Sequence, residues 1–170
     1  EQFIVISERG GWRQAFLYSL DGKEIANLTP GKYDIIDRLA VDEQGGWFYF
    51  NASPDNATQK YLHRVPLDGK GTLERITPQD QPGTHEYVLS PNAKWAFHTF
   101  STFNSPPVTE LVELPSHRSL RVLEENSELR KKVDAAKHTP AEFVQLEIDG
   151  GVTMDAWMIK PRDFDEKKKY

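Results

Sequence analysis

The sequence has no cysteine. That excludes disulfides, thiolate metal sites and a cysteine nucleophile, while leaving the compartment open. No run approaches the ~18 apolar residues that a helical membrane span needs. There is no excess of basic charge either. Lys and Arg number 21 against 26 Asp and Glu, the net charge is −5 and the pI is near 5.6. Nucleic acid is therefore not an expected partner. No signal-peptide pattern opens the chain, because Glu1-Gln2-Phe3-Ile4-Val5-Ile6-Ser7 already reads as a strand. With no initiator Met, the chain reads as mature, trimmed or a fragment. The nucleophile elbow G-x-S-x-G is also missing from the 170 residues.

What is present suits short strands and turns. Hydrophobic residues are 38%, charged residues 28% and aromatics 11%, with 11 Gly and 11 Pro. This is the composition of a soluble globular chain rich in punctuated strands. The pattern repeats. Ala40-Val41-Asp42-Glu43-Gln44-Gly45-Gly46-Trp47 aligns with Val88-Leu89-Ser90-Pro91-Asn92-Ala93-Lys94-Trp95 at an offset of 48. Leu28-Thr29-Pro30 and Ile76-Thr77-Pro78 keep the same offset, and Leu20-Asp21-Gly22-Lys23 and Leu67-Asp68-Gly69-Lys70 lie 47 apart. A third copy begins to show at Leu120-Arg121-Val122-Leu123. Landmarks that keep one spacing and one order mark a structural repeat.

Each unit divides into four short strands. In the second unit these are Tyr33 to Val41, Trp47 to Ala52, Lys60 to Pro66 and Thr72 to Ile76. The intervening Asp42–Gly46, Ser53–Asn56 and Leu67–Gly69 segments carry turn chemistry. Alternation puts Trp47 and Tyr49 on one face and Phe48 and Phe50 on the other. Both faces are apolar, as expected of a sheet held between two others. Four antiparallel strands per ~40–50 residues is the signature of a β-propeller blade. The expected fold is therefore all-β. It is a partial propeller holding the last three strands of one blade (2–29), a second blade (33–77) and a third (85–124), with one short helix and a C-terminal hairpin. Closed propellers have roughly four to eight blades, so these units read as part of a longer ring.

After Leu123 the alternation stops. Leu129, Val133 and Ala136 fall at helical spacing, Asn126 or Ser127 can cap the start, and Glu128 and Lys137 suit the helix dipole. His138-Thr139-Pro140 ends that helix. Strands follow at Phe143 to Ile148 and Val152 to Lys160, joined by Asp149-Gly150-Gly151, and a polar tail runs from Pro161 to Tyr170. The expected organisation is blades over 1–124, a helix and linker over 125–140, and a hairpin segment over 141–170.

The C-terminal third carries the most specific pattern. Leu120-Arg121-Val122-Leu123-Glu124-Glu125-Asn126-Ser127 is followed by the helix. Trp157-Met158-Ile159-Lys160-Pro161, Phe164-Asp165 and Lys168-Lys169-Tyr170 come after it. This order resembles the junction of dipeptidyl peptidase IV-like enzymes of the prolyl oligopeptidase superfamily, in which an eight-bladed propeller leads into an α/β-hydrolase domain. Ser105-Pro106-Pro107-Val108-Thr109-Glu110-Leu111 resembles the last blade of bacterial members. The resemblance implies part of the sixth blade, the seventh and eighth, and the first hairpin of the hydrolase domain. It further implies a serine exopeptidase that removes N-terminal dipeptides with Pro or Ala second, by Ser–His–Asp acyl transfer. Peptides would be its substrates and its parent could be a homodimer. The expected compartment is periplasmic or extracellular. The family's paired glutamates for the substrate amine fall before Glu1, and its oxyanion Tyr falls just past Tyr170, which itself belongs to the polar lead-in. No catalytic residue, cofactor-binding residue or metal ligand is therefore assigned here.

Other candidates read as structural. His63, His85, His98, His117 and His138 share no zinc-type spacing with a carboxylate, and surface or blade packing is their expected role. His98, between Phe97 and Thr99, reads as a packed or hydrogen-bonded sheet residue. Asp163 and Asp165 read as solvated turn residues, Lys167 to Lys169 as a solvated run, and Gly69-Lys70-Gly71 as a hairpin turn, not a phosphate loop. The sequons at Asn27, Asn51 and Asn56 would matter only in a eukaryotic secretory pathway, and the first two lie in expected strands. Two rival functions stand beside the enzyme fragment. One is a non-catalytic periplasmic binding propeller, and the other a tripeptidyl or acylaminoacyl peptidase.

Overall fold

A computed structural model describes residues 1–136 and 139–170. Strands pair strictly with their chain neighbours, because each turn is too short to allow anything but an antiparallel return. The first sheet holds β1 (Gln2–Ser7), β2 (Gln14–Ser19) and β3 (Glu24–Asn27) in that order. The second holds β4 (Ile35–Asp42), β5 (Trp47–Ala52), β6 (Tyr61–Pro66) and β7 (Glu74–Arg75). The third holds β8 (Thr84–Leu89), β9 (Trp95–Thr102), β10 (Ser105–Glu113) and β11 (Arg118–Glu124). Sheets of three, four and four strands thus stand where the repeat placed its units. The fourth strand of the second blade is shorter than expected, two residues where five were read.

Two apolar layers hold the blades face to face. Alternation on β5 divides its side chains as expected: Phe48 and Phe50 join Ala15, Leu17, Leu28 and Val65 between the first two blades. Tyr49 joins Leu62, Tyr87, Ala96 and Val112 between the second and third, with Trp47 packed alongside. The middle blade therefore has no solvent face, which explains why its central strand is apolar on both sides.

The repeat landmarks have a shared structural job. Thr29 Oγ1 accepts the Ala15 N–H at 2.8 Å, and Thr77 Oγ1 accepts the Leu62 N–H, also at 2.8 Å. In both blades the residue just before the threonine donates back to the same position, Leu28 N–H to Ala15 O and Ile76 N–H to Leu62 O. Main-chain bonds also stitch blade to blade at matching places. Ile35 N–H meets Arg13 O at 2.8 Å, and His85 N–H meets Lys60 O at 3.0 Å. The Lys60 ammonium sits at the second stitch between Asp37 and Glu86, one carboxylate from each blade. Gly83 is needed there. Its φ is +153°, and an added Cβ would lie 2.7 Å from the Ser101 carbonyl oxygen.

Past the blades, α1 (Ser127–Ala135) has no buried residue. Asn126 occupies the N-cap position but in the left-handed region, φ 52°, and makes no side-chain cap. Its amide instead donates to Pro107 O at 2.8 Å, tying the helix start to β10. The expected capping role is thus corrected: the side chain is spent on a tertiary bond. The parts of the helix reading that fall on Lys137 and His138 lie outside the described residues. β12 (Glu142–Ile148) and β13 (Val152–Met158) form a separate hairpin, turned by Gly150 and Gly151, both at positive φ.

Candidate functional site

A connected group of buried titratable side chains lies inside the third blade, facing the second. Antiparallel pairing of β8 with β9 sets Tyr87 opposite His98, and pairing of β9 with β10 sets His98 opposite Glu110. The register thus brings His85, Tyr87, His98 and Glu110 to one face. His85 is 0% exposed and His98 1%. Three contacts run in line. Gln81 O meets His85 Nε2 at 2.9 Å, His85 Nδ1 meets His98 Nε2 at 2.8 Å, and His98 Nδ1 meets Glu110 Oε1 at 3.0 Å. Ser119 donates to the other carboxylate oxygen. A second chain runs from the Leu62 N–H through Thr77 and Tyr87 to His117 Nε2, each hydroxyl contact being 2.8 Å.

Burial dominates the electrostatics. It pushes His85 and His117 down to about 4. It also pushes His98 down, against the bond and charge of Glu110. Burial alone would raise the Glu110 carboxyl, but hydrogen bonds from Ser119 and His98 outweigh it and hold the group below its ordinary value. Tyr87 is raised by burial. This is not the layout of a nucleophile with its base: Ser119 bonds the carboxylate, and the hydroxyl on an imidazole is a buried phenol. Nor do the described residues contain a group of three or more His, Cys, Asp or Glu placed to hold a metal ion. The packing role expected for the histidines describes His63, His85 and His98. The convergence of three histidines in one cluster was not expected, because it depends on cross-strand register rather than spacing in sequence.

Three apolar surfaces are left open. On the outer face of the third blade, Val88, Trp95 and Phe97 are 69%, 43% and 53% exposed. They stand in the positions that Leu39 or Ala40, Trp47 and Tyr49 occupy, covered, on the second blade. On the first blade, Phe3, Val5 and Ile25 are likewise exposed. The hairpin has its own uncovered stripe, formed by the cross-strand pairs Leu146–Met154 and Ile148–Val152. A joint holds the hairpin to the third blade. Phe103 packs edge-on to Phe143 and against Trp157, and Asn104 Oδ1 accepts the Ala141 N–H at 3.0 Å. A groove of about 1640 Å³ opens between the first two blades along Leu17, Leu39, Trp47 and Phe48.

The remaining sequence candidates take local roles. Asp165 accepts the Lys167 N–H and Tyr170 stacks on Phe164, closing a small turn. Asp163 is exposed, as are Lys167 to Lys169. Asn51 is 0% exposed, which leaves no room for a glycan, and Asn27 donates to Gln14 within its sheet. Asn56 lies exposed in a turn. Gly69 is a turn residue at φ 69° between β6 and β7.

Comparison with known proteins gives a consistent picture. The family model of the dipeptidyl peptidase IV (DPP IV) N-terminal region matches residues 1–107. Dipeptidyl peptidase 4 of Trichophyton rubrum is 28% identical over 174 residues, covering 100% of this chain and 22% of the relative. Dipeptidyl peptidase 4 of Arthroderma otae is 26% identical over the same length and shares. The crystal structure of Porphyromonas gingivalis dipeptidyl peptidase 4 superposes with a TM-score of 0.86 at 25% identity, covering 96% of this chain and 23% of that one. The chain spans about a fifth of the length of these relatives.

Proposed function

Because the chain belongs to the family of the dipeptidyl peptidase IV N-terminal region, we propose that it is the scaffold and gating part of a serine exopeptidase. That enzyme releases N-terminal dipeptides from peptides, with Pro or Ala in second position. The chain supplies consecutive blades of a propeller that restricts access, and residues 141–170 begin the hydrolase domain. The nucleophile, its base and the groups that hold the substrate amine come from outside these 170 residues. The working compartment is periplasmic or extracellular.

One observation carries this reading: three sheets pack face to face in chain order, with both end faces apolar and bare. Exposed patches of this kind mark surfaces built to be covered. The hairpin favours an enzyme over a stand-alone binding propeller. A two-stranded hairpin is at best marginally stable alone, and its bare stripe of Leu146, Ile148, Val152 and Met154 calls for a further layer. The test is the polypeptide that extends past Tyr170. It should contain a G-x-S-x-G on a strand-to-helix turn, and should cleave Xaa-Pro chromogenic substrates with sensitivity to serine-directed inhibitors. An extended protein with neither property would sink the enzyme reading and leave the binding propeller.

A further inference from the structure

The line of contacts through His85 and His98 has a proton count that its members cannot meet when each is in its ordinary state. A hydrogen bond needs one proton between its two heavy atoms. The line has three contacts, at 2.9, 2.8 and 3.0 Å, so it needs three protons. It ends on acceptors at both sides, the Gln81 carbonyl and the Glu110 carboxylate. Neither can donate. Two neutral imidazoles carry one N–H each, so together they bring two protons. Whichever tautomers they choose, one of the three contacts is left with two lone pairs facing each other. The neighbouring chain shows the contrast. Thr77 and Tyr87 carry hydroxyls, which donate and accept at once, so Leu62 N–H to Thr77 to Tyr87 to His117 closes with every group neutral.

We infer that His85, His98 and Glu110 form a single proton-binding site, which takes up one proton as a unit and thereby closes all three contacts. The proton resides on His98. Its Nδ1–H then donates to Glu110 and its Nε2–H to His85 Nδ1, while His85 Nε2–H donates to Gln81 O. The carboxylate stays ionised because Ser119 also donates to it. The loaded site has no net charge, whereas the empty one leaves a carboxylate 18% exposed beside neutral rings. Other groups facing the site are few. They are His117, edge-on to His98 at 4.8 Å between ring centres, Tyr87 stacked on His98, and Tyr61 tilted against His85. Arg75 lies over the Tyr61 ring and opposes positive charge at His85. Gln81 lies on the connection from the second blade to the third, so loading the site fastens that crossing to the core of the third blade.

The site makes a sharp claim about Glu110→Gln. A glutamine is the same size and carries its own N–H. It can donate to His98 Nδ1, after which His98 Nε2–H and His85 Nε2–H close the rest with no added proton. The experiment is a titration of the full chain labelled with ¹⁵N-histidine, following the ring nitrogens of His85 and His98 by NMR. In the unsubstituted protein, acidification should raise the ring N–H count of the pair from two to three. Both rings should report one shared midpoint, since the added proton completes the one line of contacts that joins them. In E110Q the pair should hold two N–H well below the midpoint of the unsubstituted protein, since proton affinity should fall at least tenfold, a midpoint shift of at least one pH unit. Separate midpoints for the two rings in the unsubstituted protein would overturn the inference. So would an E110Q midpoint unchanged within a factor of two. The titration of the unsubstituted protein stands alone as a test if E110Q does not fold.

Discussion

Trp47 and Trp95 occupy the same place in consecutive blades, 48 residues apart, yet one is packed against the next blade and the other is 43% exposed. Truncating each to alanine therefore compares a site covered by a neighbouring blade with the same site left bare. If the neighbour covers about 50 Å² of the Trp47 ring, that cover at about 25 cal/mol per Å² is worth ~1.3 kcal/mol. The Arg64 guanidinium also lies 3.8 Å from the Trp47 ring centre, and a cation over an indole contributes about 0.5–1 kcal/mol. No cation is placed over Trp95 among the described residues. Trp47→Ala should thus be more destabilising than Trp95→Ala by ~2 kcal/mol in this chain. For a domain of this size that is about 4–8 °C in Tm. Thermal unfolding followed by circular dichroism reads the difference directly. In a longer chain that includes the following blade, the gap should narrow, because Trp95 would then be covered as well. Equal losses in the isolated chain, or a gap that stays the same when the next blade is added, would refute the reasoning.

Other expectations follow from single contacts. His63 is 2% exposed, stacks near Phe50 and is lowered to about 4 by burial. The folded state therefore binds fewer protons than the unfolded one between about pH 6.5 and 4. The stability tied to His63 is present above that window and lost as pH falls through it, by at most ~3 kcal/mol. His63→Gln should flatten the acid limb of urea midpoint against pH by one proton, and an unchanged limb would contradict this. Thr77→Val removes the acceptor of the buried Leu62 N–H and the partner of Tyr87. It should cost about 1–3 kcal/mol in urea unfolding, and a neutral result would dismiss the repeat threonine as a structural device. Gly83→Ala should cost about 1–3 kcal/mol through backbone strain and the contact with Ser101 O. An alanine variant as stable as the parent would show the blade crossing to be looser than described.

Much of the architecture was legible because a propeller blade writes itself in local signals. Turn chemistry at Leu67-Asp68-Gly69 and Asp149-Gly150-Gly151 and alternation along Trp47–Phe50 each depend on neighbours in sequence. The two-sided apolarity of β5 even revealed that a blade lies on both sides. Spacing could not say what the landmark threonines do, because Thr29 and Thr77 act on strands 14 and 15 residues back. The histidine cluster was hidden for a stronger reason. His98 meets Glu110 across a strand pair whose register shifts between Ser105 and Val108. A one-residue difference there would send Glu110 to the other face. Asn126 misled for yet another reason: its sequence context fits a cap, but a tertiary partner, the Pro107 carbonyl, claimed the side chain.

The idea that these blades belong to an interrupted ring is tested most directly by static light scattering on the chain over a concentration series. Bare faces at Val88, Trp95 and Phe97 and at Phe3, Val5 and Ile25 should drive association, so the apparent mass should climb above 19.5 kDa as concentration rises. It should fall back toward that value when Trp95 and Phe97 are replaced by serine. A mass of one chain at every concentration, with the apolar faces intact, would contradict an open propeller.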